Sequence, residues 1–206
     1  EVMDKNFELD CEKEIKELNK KTYPVLNDIE EKINKEIEKV RLDNDSIGGI
    51  LQSAISGLPV GLGDPWFSSV EGKLSLGMFA IGGVKGVEFG LGFDFASKTG
   101  ISANDEFYVE KGNIKTKTNN NAGVNGGITN GMPVVFNLAV KPTPSISKTQ
   151  NTVNFVSKEN SEISIEGRHD PAIIRRMAVV VDSISALVVC DLLASRYGND
   201  FLKFEE

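Results

Sequence analysis

The chain is poor in the side chains that most often build metal and redox sites. Among 206 residues there are one histidine, His169, and two cysteines, Cys11 and Cys190, too few and too scattered to assemble a zinc site from those ligands. Cysteines so far apart read as reduced thiols of a cytosolic protein rather than as a disulfide frame. Positive charge is in deficit: 23 Lys and Arg face 30 Asp and Glu, a net charge of −7. A nucleic-acid or anionic-membrane binder needs a basic footprint, so neither partner is expected, although a local basic pocket for a small anion stays open. No apolar run is read as long enough to cross a bilayer, no signal-peptide core follows EVMDKNFELD, and no repeat of solenoid period occurs. What is present is globular, with 40% hydrophobic and 26% charged residues, enough for one ordinary domain or two small ones around a sizeable core. The chain opens with Glu1 rather than Met, which reads as a fragment or a processed product.

Charge and glycine divide what remains. Residues 1–45 carry 14 acidic and 9 basic side chains, whereas all 20 glycines fall between Gly48 and Gly198. The first stretch, 1–46, is read as a charged helical segment and the rest, 47–206, as tightly turned α/β structure. Phe7, Cys11, Ile15 and Leu18 recur at helical spacing until Tyr23-Pro24; Ile29, Ile33, Ile37 and Val40 form a second stripe with Asn27 or Asp28 as N-cap. Amphipathic helices account for both stripes, and neither carries chemistry. Residues 48–56 read as a strand. Asp64-Pro65 reads as the N-cap and first position of a helix whose inner face holds Trp66, Val70, Leu74 and Met78 and which Gly82-Gly83 stops. Residues 84–93 resume as strand, with glycines where another backbone or a ligand comes close. Residues 96–131 read as a long polar loop, 132–140 as an apolar strand, 147–164 as a second polar connection, and 172–197 as a helix so uniformly apolar that burial is expected all round, Cys190 included.

Three strings can carry chemistry. NNNAGVNGGITNG, residues 119–131, can turn backbone N–H groups toward an anion or let a flat ring lie against the chain, yet it lacks the Lys-Ser/Thr ending of a P-loop, and a flexible surface loop is the favoured reading of its composition. Lys141-Pro142-Thr143-Pro144-Ser145 places an ammonium and two hydroxyls at a strand exit, where α/β folds bind ligands; an exposed lysine beside a stiff turn is the plain alternative. In Gly167-Arg168-His169-Asp170-Pro171, Asp170 and Pro171 suit an N-cap and first helical position, and Arg168 could clamp a phosphate or carboxylate beside the helix start; Asp170 could instead work as an acid or base. Arg175 and Arg176 reach an exposed edge or a subunit contact.

In one order, DSIGG (45–49), SGLPVGLGDP (56–65), VKGVEFGLGF (84–93), NDEF (104–107), NAGVNGGITNGMPVVFNLAVKPTPSI (121–146) and GRHDP (167–171) resemble chorismate synthases, over residues 27–193. The resemblance implies a β-α-β sandwich with helices between sheets, a homotetramer, and elimination of phosphate from 5-enolpyruvylshikimate 3-phosphate to give chorismate. It implies reduced FMN as cofactor, kept reduced by NADPH or an external reductant. Gly82, Gly83, Gly126, residues Lys141, Pro142, Thr143, Pro144 and Ser145, and Arg168 are carried over as flavin contacts, and Asp170 as a proton-handling group near the ring. The family's histidine-containing N-terminal segments are missing from the sequence, so the chain is read as the C-terminal, flavin-pocket half, inactive alone. The alternatives are a non-catalytic binding or assembly fragment and an unrelated anion-binding module.

Overall fold

A computed structural model describes residues 2–167 and 169–198. The charged segment forms two helices, α1 (Glu12–Leu18) and α2 (Glu30–Leu42). Its second stripe is half-buried, and neither Asn27 nor Asp28 caps α2. Ile29 occupies that position without a side-chain bond, while the Asp4 carboxylate takes the Leu26 and Asn27 N–H groups.

Strand β1 (Gly49–Ile55) leads through a glycine-rich loop to α3 (Val70–Phe79). The expectation that this helix starts at Asp64-Pro65 is corrected: a single 3-10 turn occupies Trp66–Ser68, and Ser69 is the N-cap, its Oγ accepting the Gly72 N–H at 2.9 Å. Trp66 has φ +72 and is 85% exposed, so it lines no inner face. Val70, Leu74 and Met78 do, and each is buried. After Gly83, at φ +97, comes β2 (Val84–Phe89), shorter than expected because Gly90 and Gly92 turn the chain into a 3-10 helix.

Residues 96–131 are not a long loop. They hold the short helix α4 (Gly100–Ala103), the hairpin β3 (Phe107–Glu110) with β4 (Asn113–Thr116), and a small hairpin of β5 (Val124–Asn125) with β6 (Ile128–Thr129). Strand β7 (Val134–Val140) follows, then a second polar stretch that also folds as a hairpin, β8 (Gln150–Asn154) with β9 (Glu159–Ile163), and last α5 (Ile174–Tyr197).

The core lies between one sheet and two helices. The sheet runs β1-β7-β2, antiparallel throughout, with Leu51 opposite Leu138 and Leu138 opposite Val87. Val134, Phe136, Leu138 and Val140 of β7 alternate onto the helical face and are buried, as period-two strand geometry requires. There they meet Leu74 and Met78 of α3 and Met177 and Val181 of α5. The opposite face carries a polar row in register: Gln52 Nε2 donates to Asn137 Oδ1, and Asn137 Nδ2 to Glu88 Oε1, both at 3.0 Å. Helices α3 and α5 come close at Gly77, where an added Cβ would stand 2.8 Å from Ile184 Cγ2.

Two readings of α5 change. It is long and apolar enough to cross a membrane by length and composition, which the sequence reading missed. It is also not buried all round: Met177, Val181, Ser185 and Leu192 face the core, whereas Val179 is 67% and Leu187 66% exposed, and Cys190 is exposed too. Gly198, at φ +77, ends it as expected.

Candidate functional site

Two of the three strings meet at the carboxyl end of β7. The Lys141 N–H donates to the Gly83 carbonyl at 2.9 Å, which sets the glycine pair beside the strand exit. The link to the start of α5 is made by residues 46–48, which the sequence reading quoted without a role. Ser46 Oγ donates to the Thr143 carbonyl at 2.6 Å, and the Ile47 N–H donates to the Pro171 carbonyl at 2.8 Å. Gly48 permits this approach: a Cβ there would lie 2.4 Å from the Val140 carbonyl oxygen. Gly83 presses on the same helix, with Ile173 Cδ1 and Met177 Cε at 3.0 and 3.3 Å from its would-be Cβ, while Gly82 faces open space. The missed signal was the paired glycine itself, since two backbones can close to this distance only without a side chain.

Within this cluster some polar groups are satisfied and some are not. The Lys141 ammonium has no ion-pair partner among the described residues. Thr143 Oγ1 is buried with no hydrogen-bond partner. Pro142 and Pro144 stiffen the turn, Gln150 Nε2 donates to the Pro144 carbonyl at 3.1 Å, and Ser145 is half-buried. Asp170 is not the N-cap of α5, a position taken by Ile173. Its Oδ1 accepts the Ala172 N–H at 3.1 Å and its Oδ2 pairs with Arg176 Nε at 3.1 Å, while the Arg176 side chain is 82% exposed, on the exposed edge expected for it. Arg175 instead lies over the Tyr23 ring, 4.7 Å from its centroid. His169 Nε2 contacts the Ile165 carbonyl at 2.8 Å. Arg168 lies outside the described residues. The described His, Cys, Asp and Glu side chains form no cluster suited to a metal ion.

The third string sits at the other end. Gly126 and Gly127, at φ +59 and +85, turn the β5–β6 hairpin as a two-residue turn with both central residues left-handed. The Gly127 carbonyl accepts the Val70 N–H at 3.0 Å, docking the hairpin on the start of α3, and Thr129 bonds the Leu62 backbone through both its N–H and Oγ1. Gly83 lies past the far end of that ten-residue helix, about 15 Å away along its axis. The lysine-proline exit and the helix start thus converge, and the glycine turn docks at the other end of α3.

The hairpin end has its own buried acid, which the sequence reading noted only as part of NDEF. Asp105 is 3% exposed. Burial pushes its carboxyl up, but hydrogen bonds from Thr118, Asn121 and Asn120 outweigh burial and hold it below the ordinary aspartate value. A cavity of about 390 Å³ lies elsewhere, around Lys21, Tyr23 and Arg175, and takes in none of residues 82–83 or 141–145.

Two helices over one face of an antiparallel three-stranded sheet, with unpaired donors where the central strand ends, define a mixed α/β domain whose sheet end suits a small anion. Residues 4–194 match the family described as chorismate synthase, and the chain belongs to that family. It is 48% identical over 151 residues to the chorismate synthase of Methanococcus maripaludis strain S2, an overlap of 73% of this chain and 40% of that one. To that of Agathobacter rectalis it is 43% identical over 180 residues, 87% of this chain and 49% of the relative. A crystal structure of chorismate synthase superposes with a TM-score of 0.70 at 28% identity, over 86% of this chain and 46% of that one. The chain thus spans about half the length of the relatives it matches. It supplies one sheet and a helical layer; among the described residues the other sheets are two-stranded.

Proposed function

We propose that this chain forms the flavin-binding face of an enzyme that eliminates phosphate from 5-enolpyruvylshikimate 3-phosphate in an anti-1,4 sense to give chorismate, using reduced FMN. The observation that carries this reading is the tie made by residues 46–48, which joins the lysine-proline exit to the Asp170 helix start. The residues fit an anionic, planar group. An unpaired ammonium at Lys141, an orphaned hydroxyl at Thr143 and the open side of Gly82 are features a phosphate and a flat ring would use.

When bound, reduced FMN supplies electron density to the centre that becomes electron-poor as the allylic phosphate departs. NADPH or an external reductant keeps it reduced. Lys141 and Arg168 offset its negative charge, while Thr143 and Ser145 offer hydroxyl donors. Pro142 and Pro144 hold those donors in place, and Gly82 and Gly83 leave room for the ring. Asp170 takes up or relays a proton once its Oδ2 is released from Arg176. The one histidine, His169, contacts the Ile165 carbonyl, and the histidine-containing segments that the family resemblance assigns to acid catalysis are not in this sequence, so the chain alone is not expected to turn over.

Assembly completes the reading. Gly126 and Lys141 lie toward opposite ends of α3, and a homo-oligomer, a tetramer by family resemblance, is the assembly in which groups from different copies would share a site. Exposed apolar side chains support self-association, Trp66 and Phe67 at 85% and 91% exposure above all. A cytoplasmic protein without nucleic-acid or membrane partners is consistent with the acidic balance and with α5 packing on the core. The separation of Gly126 from Lys141 also favours a second reading, a binding or assembly unit without chemistry of its own.

Anaerobic FMN titration of the chain and of Lys141→Ala, followed by flavin fluorescence, tests the proposal. Saturable binding that the variant weakens roughly tenfold or more is expected. Equal affinity of the two proteins removes Lys141 from the pocket, and no binding to either favours the assembly reading. Normal turnover of the substrate by the chain alone would overturn the expectation of an incomplete site.

A further inference from the structure

The glycine turn is exposed at its tip and rests on two strands of two residues each, so something other than its own ladder must hold it. Asp105 is the least exposed acid among the described residues, and no cation among them lies within ion-pair range of it. Four donors from one loop converge on it instead. Oδ1 accepts Thr118 Oγ1–H and the Asn120 N–H, both at 2.7 Å; Oδ2 accepts the Asn121 N–H at 2.8 Å and Asn121 Nδ2–H at 2.9 Å. Both oxygens are used to capacity, in charge-assisted bonds stronger than neutral ones.

The same residues set the base of the hairpin. Asn119 Oδ1 accepts the Gly123 N–H at 2.6 Å, and Asn119 Nδ2 donates to the Pro133 carbonyl at 2.8 Å, where β7 begins. The Asn121 carbonyl accepts the Val124 N–H at 3.1 Å, and the Gly123 carbonyl accepts the Asn130 N–H at 2.9 Å. Between them Ala122 sits at φ +54, a conformation that a residue with a Cβ keeps only where its surroundings over-determine it. Asn120 meanwhile binds back to the exit of β2, its carbonyl accepting the Leu91 N–H at 3.0 Å. The carboxylate thus gathers residues 118–121, and these fix both feet of the hairpin that presents Gly126.

We propose that Asp105 is the positioning residue of the glycine turn, its buried carboxylate fixing the place from which Gly126 meets an anionic flavin; the second half of this statement rests on the reading of Gly126 as a flavin contact. A purely structural acid would stabilise the whole domain alike. The network makes a local demand, because every donor it gathers lies within four residues of the others and leads directly into the hairpin.

The test compares the full chain with Asp105→Asn, which keeps the shape but turns one acceptor into a donor facing donors, and with the milder Thr118→Val, which removes one bond and guards against a variant that does not fold. Amide hydrogen exchange at Gly123, Val124 and Asn130 is measured beside that at Phe136 and Leu138 of β7, and FMN affinity is measured on the same samples. Expected for Asp105→Asn are exchange at least about tenfold faster at the hairpin base, unchanged exchange in β7, and FMN binding weaker by a similar factor; Thr118→Val repeats the pattern at smaller amplitude. Exchange unchanged, or accelerated equally in β7, overturns the positioning role. Wild-type FMN binding that Asp105→Asn leaves intact overturns the link to the ligand. Selective exchange in a wild-type chain with no FMN affinity upholds the positioning of the hairpin and sinks the flavin reading.

Discussion

The two ends of the sheet and helix layer are built on opposite rules. At the glycine turn the chain satisfies its own polar groups: both oxygens of Asp105, the side chain of Asn119 and the carbonyls of Asn120 and Gly127 all have protein partners. At the lysine-proline exit the chain leaves an ammonium and a buried hydroxyl unpaired. A buried donor without a partner costs free energy, and at Thr143 the proposed ligand would relieve that cost. On the proposed function, the saturated end serves as scaffold and the unsaturated end as the ligand-facing surface.

The sharpest way to break this comparison is at Gly90. An added Cβ there would stand 1.8 Å from the Asn120 carbonyl oxygen and 2.9 Å from the Ala122 nitrogen, at φ +56. Overpacking against backbone and left-handed strain add, so Gly90→Ala should cost roughly 4 kcal/mol or more in a urea titration. Gly126→Ala, at φ +59 with nothing within 4 Å, should cost only about 1–2 kcal/mol. Equal losses would mean that the knot around Asn120 is not the rigid element described here.

The unsaturated end is expected to show the reverse split between stability and binding. Thr143→Val removes a hydroxyl that has no partner in the chain and keeps its shape. Unfolding stability should hold or rise by up to about 1 kcal/mol, while FMN affinity falls several-fold because the ligand loses a donor. A variant that is destabilised and still binds FMN normally would show that Thr143 serves the fold rather than the ligand.

Sequence and structure agree best where one pattern has one physical solution. The alternation in VVFNLAV could only be a central strand, and Val70, Leu74 and Met78 could only be the inner face of a helix. The glycine after Tyr197 stops α5 as its backbone freedom allows. Misreadings arose where local chemistry permits two outcomes. Asp64-Pro65 has the composition of a helix start, yet Ser69 caps instead, because Gly127 docks on the Val70 N–H and fixes the first turn there. Residues 96–131 are rich in the polar residues of loops, but their order comes from Asp105, whose partners lie 13 to 16 positions away and leave no periodic trace. The uniformly apolar α5 was read as buried on all sides because composition cannot say how many layers cover a helix. For the site, the strings themselves were legible through family resemblance. Their division between two ends was not, since no residue pattern encodes the length of α3 as a distance between ligand groups.

The smallest expected effect concerns acid. A carboxyl held below its ordinary value by hydrogen bonds contributes stability above that value, near 3.8 for aspartate, and loses it as pH falls through the lower value of the folded state. For Asp105 the contribution is thus complete at neutral pH and disappears only below about pH 4, where protonation turns an acceptor oxygen into a hydroxyl donor facing the donors of Thr118, Asn120 and Asn121. Asp105→Asn carries that defect at every pH. The gap in urea midpoint between wild type and variant should accordingly be constant from pH 7 to pH 5 and narrow as pH approaches 3. A gap that already closes near pH 6 would mean that a group other than this carboxylate holds the loop, and the contrast between a self-satisfied scaffold and an open ligand face would have to be rebuilt around that group.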